Sequence, residues 1–298
     1  MFRIALFLAT NLAVLAVASV TLNLLGVDRY ISSAGLNLQS LLIYCAVFGF
    51  TGSLISLLIS KPMAKWSTGV QLISQPRNNK EMWLVQTVEM LAKEAGIKMP
   101  EVGIFPAHDS NAFATGWNKN AALVAVSEGL LSRFREDEVR AVLAHEIAHV
   151  ANGDMVTLSL VQGVVNTFVM FFARIIGYAV DTFLFRRGEN EGSSGVGFGY
   201  YAVVMIAELL LGVLASMIVM WFSRYREFRA DAGGAGLAGK NSMIQALSRL
   251  KQEHEVNSSL PQTLQAFGLR AGNRSGWMRL FSSHPPLDER IKALQELK

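Results

Sequence analysis

Five consecutive residues, His145-Glu146-Ile147-Ala148-His149, have the types and the spacing to do metal chemistry. The stretch before them, Glu138 to Ala144, carries apolar side chains at helical spacing, so the two imidazoles fall at i and i+4 on one helix face. Imidazoles so placed can bind one Zn²⁺ at about 2.0–2.1 Å each. Glu146 directly follows the first of them. From there it can reach a water activated at the metal without being a ligand, the place of the general base in metal-assisted peptide hydrolysis. A chance cluster on a solvated face is a poor account: the chain has 5 histidines in 298 residues, and Val142, Leu143, Ile147, Ala148 and Val150 surround the motif. Among such neighbours, without a metal, these polar groups would be expensively unsatisfied.

The rest of a zinc site must come from elsewhere in the chain. Catalytic zinc typically has three protein ligands and a water. The single cysteine, Cys45, sits in an apolar run, so no disulfide forms within the chain and no cysteine-based site exists. The ligands are therefore His and carboxylate. Arg226-Glu227-Phe228-Arg229-Ala230-Asp231 reads as a helix continuing an apolar span, with Glu227 and Asp231 sharing a face at i and i+4. Glu227 then supplies the missing ligand, and Asp231 accepts the free N–H of a zinc-bound histidine. Alone, the segment would read as an arginine-rich juxtamembrane helix with two solvated acids; the upstream motif favours the ligand reading.

Two further candidates are less specific. His284, in Ser282-Ser283-His284-Pro285-Pro286, is held in a stiff extended segment by the prolines. It is a catalytic oxyanion donor, a fourth ligand that keeps the enzyme latent, or a loop histidine. Asn111-Ala112-Phe113-Ala114 is a candidate sheet edge that holds an extended substrate by strand addition, or else ordinary core β-structure.

The elements that must position these residues include long apolar runs. The chain is 51% hydrophobic and 17% charged, with mean hydropathy +0.33, too apolar for an ordinary soluble domain. Ile4–Leu25 and Leu36–Ser60 carry no charge, and each exceeds the roughly 20 residues that cross a bilayer. The first is too long for the core of a signal peptide, and a second span follows almost at once. Met155–Val180 and Tyr200–Phe222 form a second pair, a membrane or buried hairpin, broken only by Arg174 and Glu208. Intramembrane charges usually pair, so these two are expected to meet. Arg3, Lys61, Lys65, Arg224, Arg226 and Arg229 flank the spans on one side. Asp28 and Arg29 cancel in one intervening loop, and in the other Asp181, Glu189 and Glu191 outnumber Arg186 and Arg187. By the positive-inside rule both termini and the motif face the cytoplasm. The net charge of +4 fits a protein lying against an anionic leaflet, and no basic and aromatic stripe points to nucleic acid.

Between Trp66 and Gly153 the pattern is that of a water-facing domain. Glu81–Ala95 predicts an amphipathic helix ended by Gly96. Strands are expected at Glu101–Phe105, Ala112–Gly116 and Ala121–Val126, the last two joined by a turn at Trp117–Asn120. A short helix from Ser127 to Phe134 follows, and Asp137 or a neighbour caps the motif helix. Beyond residue 241, helices are expected around Met243–Glu253 and Leu287–Leu297, with a basic loop at Gly268–Gly276 between them.

Together, His145–His149, Glu227–Asp231 and Ser283–Leu287 resemble the membrane zinc metalloproteases that include the type 1 CAAX prenyl proteases. Arg3–Leu8, Asn111–Gly116 and Ala151-Asn152-Gly153-Asp154-Met155 resemble the bacterial, heat-shock-induced branch of that family, along essentially the whole chain. The prenyl proteases have more spans than the four read here. The resemblance implies an inner-membrane endopeptidase of envelope quality control. It implies one zinc held by His145, His149 and Glu227, Glu146 as base, and Asp231 and His284 near the site.

The fold expected is an α+β membrane protein with about four transmembrane helices and a cytoplasmic zincin-like (gluzincin) domain. Residues 1–62 form a transmembrane hairpin, 63–156 the first part of the protease domain, 157–222 the second hairpin and 223–298 the second part. The partners expected are misfolded membrane proteins as substrates and the lipid bilayer, with further copies of the chain or other quality-control proteases as candidates. A transporter or channel with a regulatory zinc site is the main rival reading, but one charge pair in about four spans offers little pathway. A zinc-binding adaptor without catalysis is another, against which the intact Glu146 argues.

Overall fold

The computed structural model describes residues 2–25, 31–32, 35–184, 198–257 and 282–297. Helix α1 (Phe2–Leu24) leads to a two-stranded pair, β1 (Ile31–Ser32) and β2 (Gly35–Leu36), and to α2 (Leu38–Thr68). There follow β3 (Gln71–Leu72), α3 (Asn79–Glu94), β4 (Glu101–Phe105), β5 (Ala112–Thr115) and β6 (Leu123–Ser127). Helices α4 (Glu128–Arg133), α5 (Glu136–Ala151), α6 (Asp154–Leu184), α7 (Phe198–Ala238), α8 (Lys240–Asn257) and α9 (Leu287–Glu296) complete the order. The chain divides into two compact units, Met1–Ser56 with Leu158–Val219, and Leu57–Thr157 with Met220–Lys298. The loop charges at Asp28, Arg29, Arg186, Arg187, Glu189 and Glu191, and the basic loop Gly268–Gly276, lie outside the described residues.

The first unit is helical and apolar on its outside. Three helices among the described residues are long and apolar enough to cross a membrane: Leu38–Thr68, Asp154–Phe183 and Gly199–Ala238. Leu12–Leu24, within α1, is a shorter apolar helix. Phe168, Phe172, Leu209, Leu210, Leu214 and Ile218 are exposed, a surface suited to lipid rather than water. Small residues bring α2 and α6 together: a Cβ at Gly49 would stand 2.9 Å from the carbonyl oxygen of Gly163. The Ser159 hydroxyl donates to the Ser53 carbonyl across the same contact. Arg174 and Glu208 meet as expected, at 2.8 Å, linking α6 to α7.

The second unit is built on a four-stranded sheet in the order β3-β4-β6-β5, with β4 and β6 parallel and the other neighbours antiparallel. β6 is buried at every position, as a continuous apolar run between two neighbours should be. Leu84, Val88 and Leu91 of α3 and Val139, Leu143 and Ile147 of α5 pack with Val124 and Val126 of the sheet in one core. Local signals set the element ends. The Asn78 side chain accepts from the Glu81 N–H at 2.8 Å to start α3, and Gly96, at φ +67°, ends it. Ser127 closes β6 and opens α4, its hydroxyl accepting from the Leu130 N–H at 3.0 Å. The cap of α5 is Arg135 rather than Asp137: its backbone N–H donates to the Glu138 carboxylate at 2.9 Å, tying down the first turn. β5 begins at Ala112 and lies at an edge of the sheet, so the Asn111–Ala114 segment occupies an edge strand.

Candidate metal centre

Helix α5 carries the motif, and its sequence fixes which side chains share a face. His145 is buried, while Glu146 and His149 are half-buried. Their partner helix is α7, which stays helical from Phe198 through Ala238 and so carries Glu227 and Asp231 on one continuous rod. Two adjacent glycines let α7 come close to α5. A Cβ at Gly234 would stand 3.0 Å from the His145 backbone nitrogen, and one at Gly233 would stand 2.9 Å from the Ala148 Cβ. Larger residues there would hold the carboxylates away from the imidazoles.

The result is a tight three-residue group. His145 Nε2 and His149 Nε2 are 3.1 Å apart. Glu227 Oε1 is 3.3 Å from His149 Nε2, and Glu227 Oε2 is 3.6 Å from His145 Nε2. A tetrahedral centre with bonds of about 2.0–2.1 Å holds its ligand atoms about 3.3 Å apart. The donor set of two imidazoles and a carboxylate therefore fits a zinc ion both in chemistry and in spacing.

Each imidazole turns its other nitrogen to a carboxylate. His145 Nδ1 is 2.9 Å from Asp231 Oδ1, and His149 Nδ1 is 2.6 Å from Asp154 Oδ2. These contacts set the ring orientation and keep Nε2 for the centre. The sequence named Asp231 as such a partner. Asp154 is an addition. Gly153, at φ +68°, ends α5, and Asp154, the first residue of α6, reaches His149 on the last turn of α5. The Asn152-Gly153 pair is a legible helix stop, but the contact it produces is not legible. Arg226, buried beside Phe222, donates to the Asp154 backbone carbonyl at 2.6 Å and anchors that turn to α7.

Helix α9 closes the group from the C-terminal side. Arg290 is buried and donates through two nitrogens to Asp231, at 2.7 and 2.6 Å. Its Nη1 lies 3.3 Å from Glu227 Oε2. Nothing in the sequence pattern of α9 singled this arginine out. His284, just before α9, is exposed, and its Nδ1 stands 2.8 Å from Glu227 Oε2. It reaches the group through Glu227. Among the described residues the Glu146 side chain makes no hydrogen bond or ion pair, and it is half-buried on the helix that carries the imidazoles.

The electrostatics favour a cation at the centre. Burial pushes the Glu227 carboxyl up, but the His145, His149 and His284 imidazoles around it outweigh this and hold it far below the usual carboxylate range. Burial likewise raises Asp231, and Arg290 and His145 overturn that and keep it ionised. Burial lowers the His149 imidazole, yet the Asp154 and Glu227 carboxylates push it up to about 9. These negative groups, gathered around two nitrogens, make a site that seeks positive charge.

Of the sequence candidates, the structure gathers His145, His149, Glu227, Asp231 and His284 into one cluster, with Glu146 on the same helix as the imidazoles. Asn111 leads into the edge strand β5 (Ala112–Thr115), which packs against α5.

A sequence model of Peptidase family M48 matches residues 78–298. The chain is 65% identical over 298 residues to Protease HtpX of Alcanivorax borkumensis, covering 99% of each chain. It is 66% identical over 294 residues to Protease HtpX of Hahella chejuensis, again over 99% of each. Among solved structures, the crystal structure of S. mikatae Ste24p is similar at a TM-score of 0.62 and 22% identity, over 85% of this chain and 58% of that one. That likeness carries the fold alone.

Proposed function

The chain belongs to peptidase family M48, and from that premise we propose that it is a zinc-dependent endopeptidase of the bacterial inner membrane. Its substrates are misfolded or damaged membrane proteins, cut in cytoplasmic segments as part of membrane quality control and the stress response. One observation carries the reading: His145, His149 and Glu227 converge at 3.1–3.6 Å beside an unengaged Glu146.

When bound by His145, His149 and Glu227, zinc supplies a Lewis acid that polarises the scissile carbonyl and stabilises negative charge on its oxygen. The chain's own groups do the rest. Glu146 takes one proton from the attacking water as the water oxygen bonds to the carbonyl carbon. It gives that proton to the amine nitrogen as the C–N bond breaks, leaving a carboxylic acid and an amine. Asp231 and Asp154 hold the imidazoles in the tautomer that presents Nε2 inward. Arg290 fixes Asp231 and, with His284, the Glu227 carboxylate. The edge strand β5 offers backbone groups to an extended substrate. The positive flanks Lys61, Lys65, Arg224, Arg226 and Arg229 support an active site facing the cytoplasm.

The test compares purified wild type with Glu146→Gln and Glu227→Ala, each supplied with zinc in detergent. Glu146→Gln is expected to bind zinc and cleave nothing, and Glu227→Ala to lose zinc affinity. A zinc-loaded Glu146→Gln protein that still cuts a membrane-protein substrate would refute the assigned base.

A further inference from the structure

The metal group stands close to where the apolar run of α7 ends. That run closes at Phe222, and Glu227 follows five residues later, about 7.5 Å along the axis at about 1.5 Å per residue. The same relation holds at α6: its first residue, Asp154, touches His149, and the apolar run begins at the next position. Both helices are long and apolar enough to span a bilayer.

Beside Glu227 lies a cleft of about 200 Å³ lined by Trp221, Arg224, Tyr225, Phe228, Pro285 and Glu289. Two of its wall residues are chain neighbours of the group: Phe228 follows Glu227, and Pro285 follows His284, which contacts Glu227 at 2.8 Å. Trp221 and Tyr225 stack at 6.5 Å, nearly parallel. They remain 62% and 57% exposed, so two large rings line the cleft while facing outward. The Arg224 guanidinium donates to the Ser282 carbonyl at 2.8 Å, joining the α7 wall to the segment that carries His284 and Pro285.

We propose that this cleft is a substrate subsite, and that it takes an apolar or aromatic side chain from the juxtamembrane stretch of another membrane protein, the few residues just beyond its transmembrane helix. The proposal rests on the protease reading above and names its substrate class. Trp and Tyr at the end of a span also serve as interfacial anchors. An anchor, however, has no need of a cleft walled on its far side by Pro285 and Glu289. A chain that leaves the bilayer level with Phe222 covers that axial rise of about 7.5 Å with two or three extended residues at about 3.3 Å each. More distant segments arrive as the far end of a flexible tether, whose effective concentration falls roughly as the −3/2 power of its length.

The test uses the zinc-loaded, full-length enzyme in liposomes with single-span substrates. These carry one phenylalanine in an otherwise Gly/Ser cytoplasmic tail, either four or thirty residues past the span; a Gly replacement and the same tail as a soluble peptide complete the set. The expected result is cleavage at the near phenylalanine at least tenfold faster than at the far one or in the peptide, with a clear preference for Phe over Gly. In Trp221→Ala and Tyr225→Ala, whose exposed side chains can be cut back without emptying a core, the Phe-over-Gly ratio should fall towards one while zinc content stays at the wild-type level. Equal cleavage at all distances, or a Phe preference that survives both substitutions, overturns the proposal and leaves the protease reading standing. If the zinc-loaded wild type cuts no substrate, including the soluble peptide, the protease reading itself fails and the proposal with it.

Discussion

At the residue scale, the site is a set of carboxylates that divide the work by what each one touches. Glu227 faces the two Nε2 atoms, Asp231 and Asp154 face the two Nδ1 atoms, and Glu146 faces neither. The two Nδ1 contacts are equivalent in kind, at 2.9 and 2.6 Å, so Asp154 should matter as much as Asp231. Asp154→Ala is expected to weaken zinc binding on the order of 10–100-fold, the usual cost of losing a partner that orients a ligand histidine. Chelator competition measures it, and wild-type affinity would reduce the contact to helix-turn packing. His284 differs, being exposed and touching the cluster only through Glu227. Its expected role is to donate to the developing oxyanion, so His284→Ala should slow turnover by about 10²–10³-fold, the loss of one such donor. A faster His284→Ala enzyme would instead identify His284 as a latch on the metal.

At the element scale, the end of α2 is clamped to the first residue of β4. Lys61 and Lys65 stand 2.9 and 2.5 Å from the two oxygens of Glu101, and the Lys61 ammonium also donates to the Ala121 carbonyl. Partial burial raises the Glu101 carboxyl, but the two lysines overcome this and leave it below its usual value. A carboxyl depressed in the folded state contributes stability that is fully present above its unfolded pKa and is lost as pH falls through the folded value. Glu101→Gln should therefore lower the unfolding temperature slightly at pH 7, and the gap from wild type should close as the pH drops below about 4. The carboxylate is 43% exposed, so the clamp is worth less than about 1 kcal/mol. A gap that persists unchanged in acid would mean that packing, not charge, joins these elements.

At the scale of the whole molecule, long helices thread both units. α2, α6 and α7 each supply apolar turns to the first unit and functional or clamping residues to the second. Arg174 and Glu208 satisfy one another at 2.8 Å, which accounts for both intramembrane charges without a conduction pathway. The proposed orientation rests on the basic residues at the helix ends. A reporter fused after Lys298, or inserted near Trp66, should therefore read as cytoplasmic. A periplasmic signal from either fusion would invert the topology.

The sequence by itself determined whatever depends on spacing along one element. Two histidines four apart on a helix share a face whatever surrounds them, as do Glu227 and Asp231, and uncharged runs of twenty or more residues declare themselves by length. Ser127, Gly96 and Asn78 ended their elements through local hydrogen bonds or backbone conformation, so those ends were close to their expected places. The tertiary structure alone decided what depends on distance between elements. Arg290 lies on a short amphipathic helix whose pattern sends Leu287, Ile291 and Leu294 to the core but does not single out the arginine, which matters because α9 packs where Asp231 is buried. Asp154 became a partner of His149 because a left-handed glycine ends α5 and starts the next helix within reach of its last turn. Gly233 and Gly234 weaken a helix by propensity, yet they are where α7 comes close enough to α5 to bring a carboxylate to the two imidazoles. Contacts of this kind arise from close packing between segments remote in the chain, and no local periodicity encodes them.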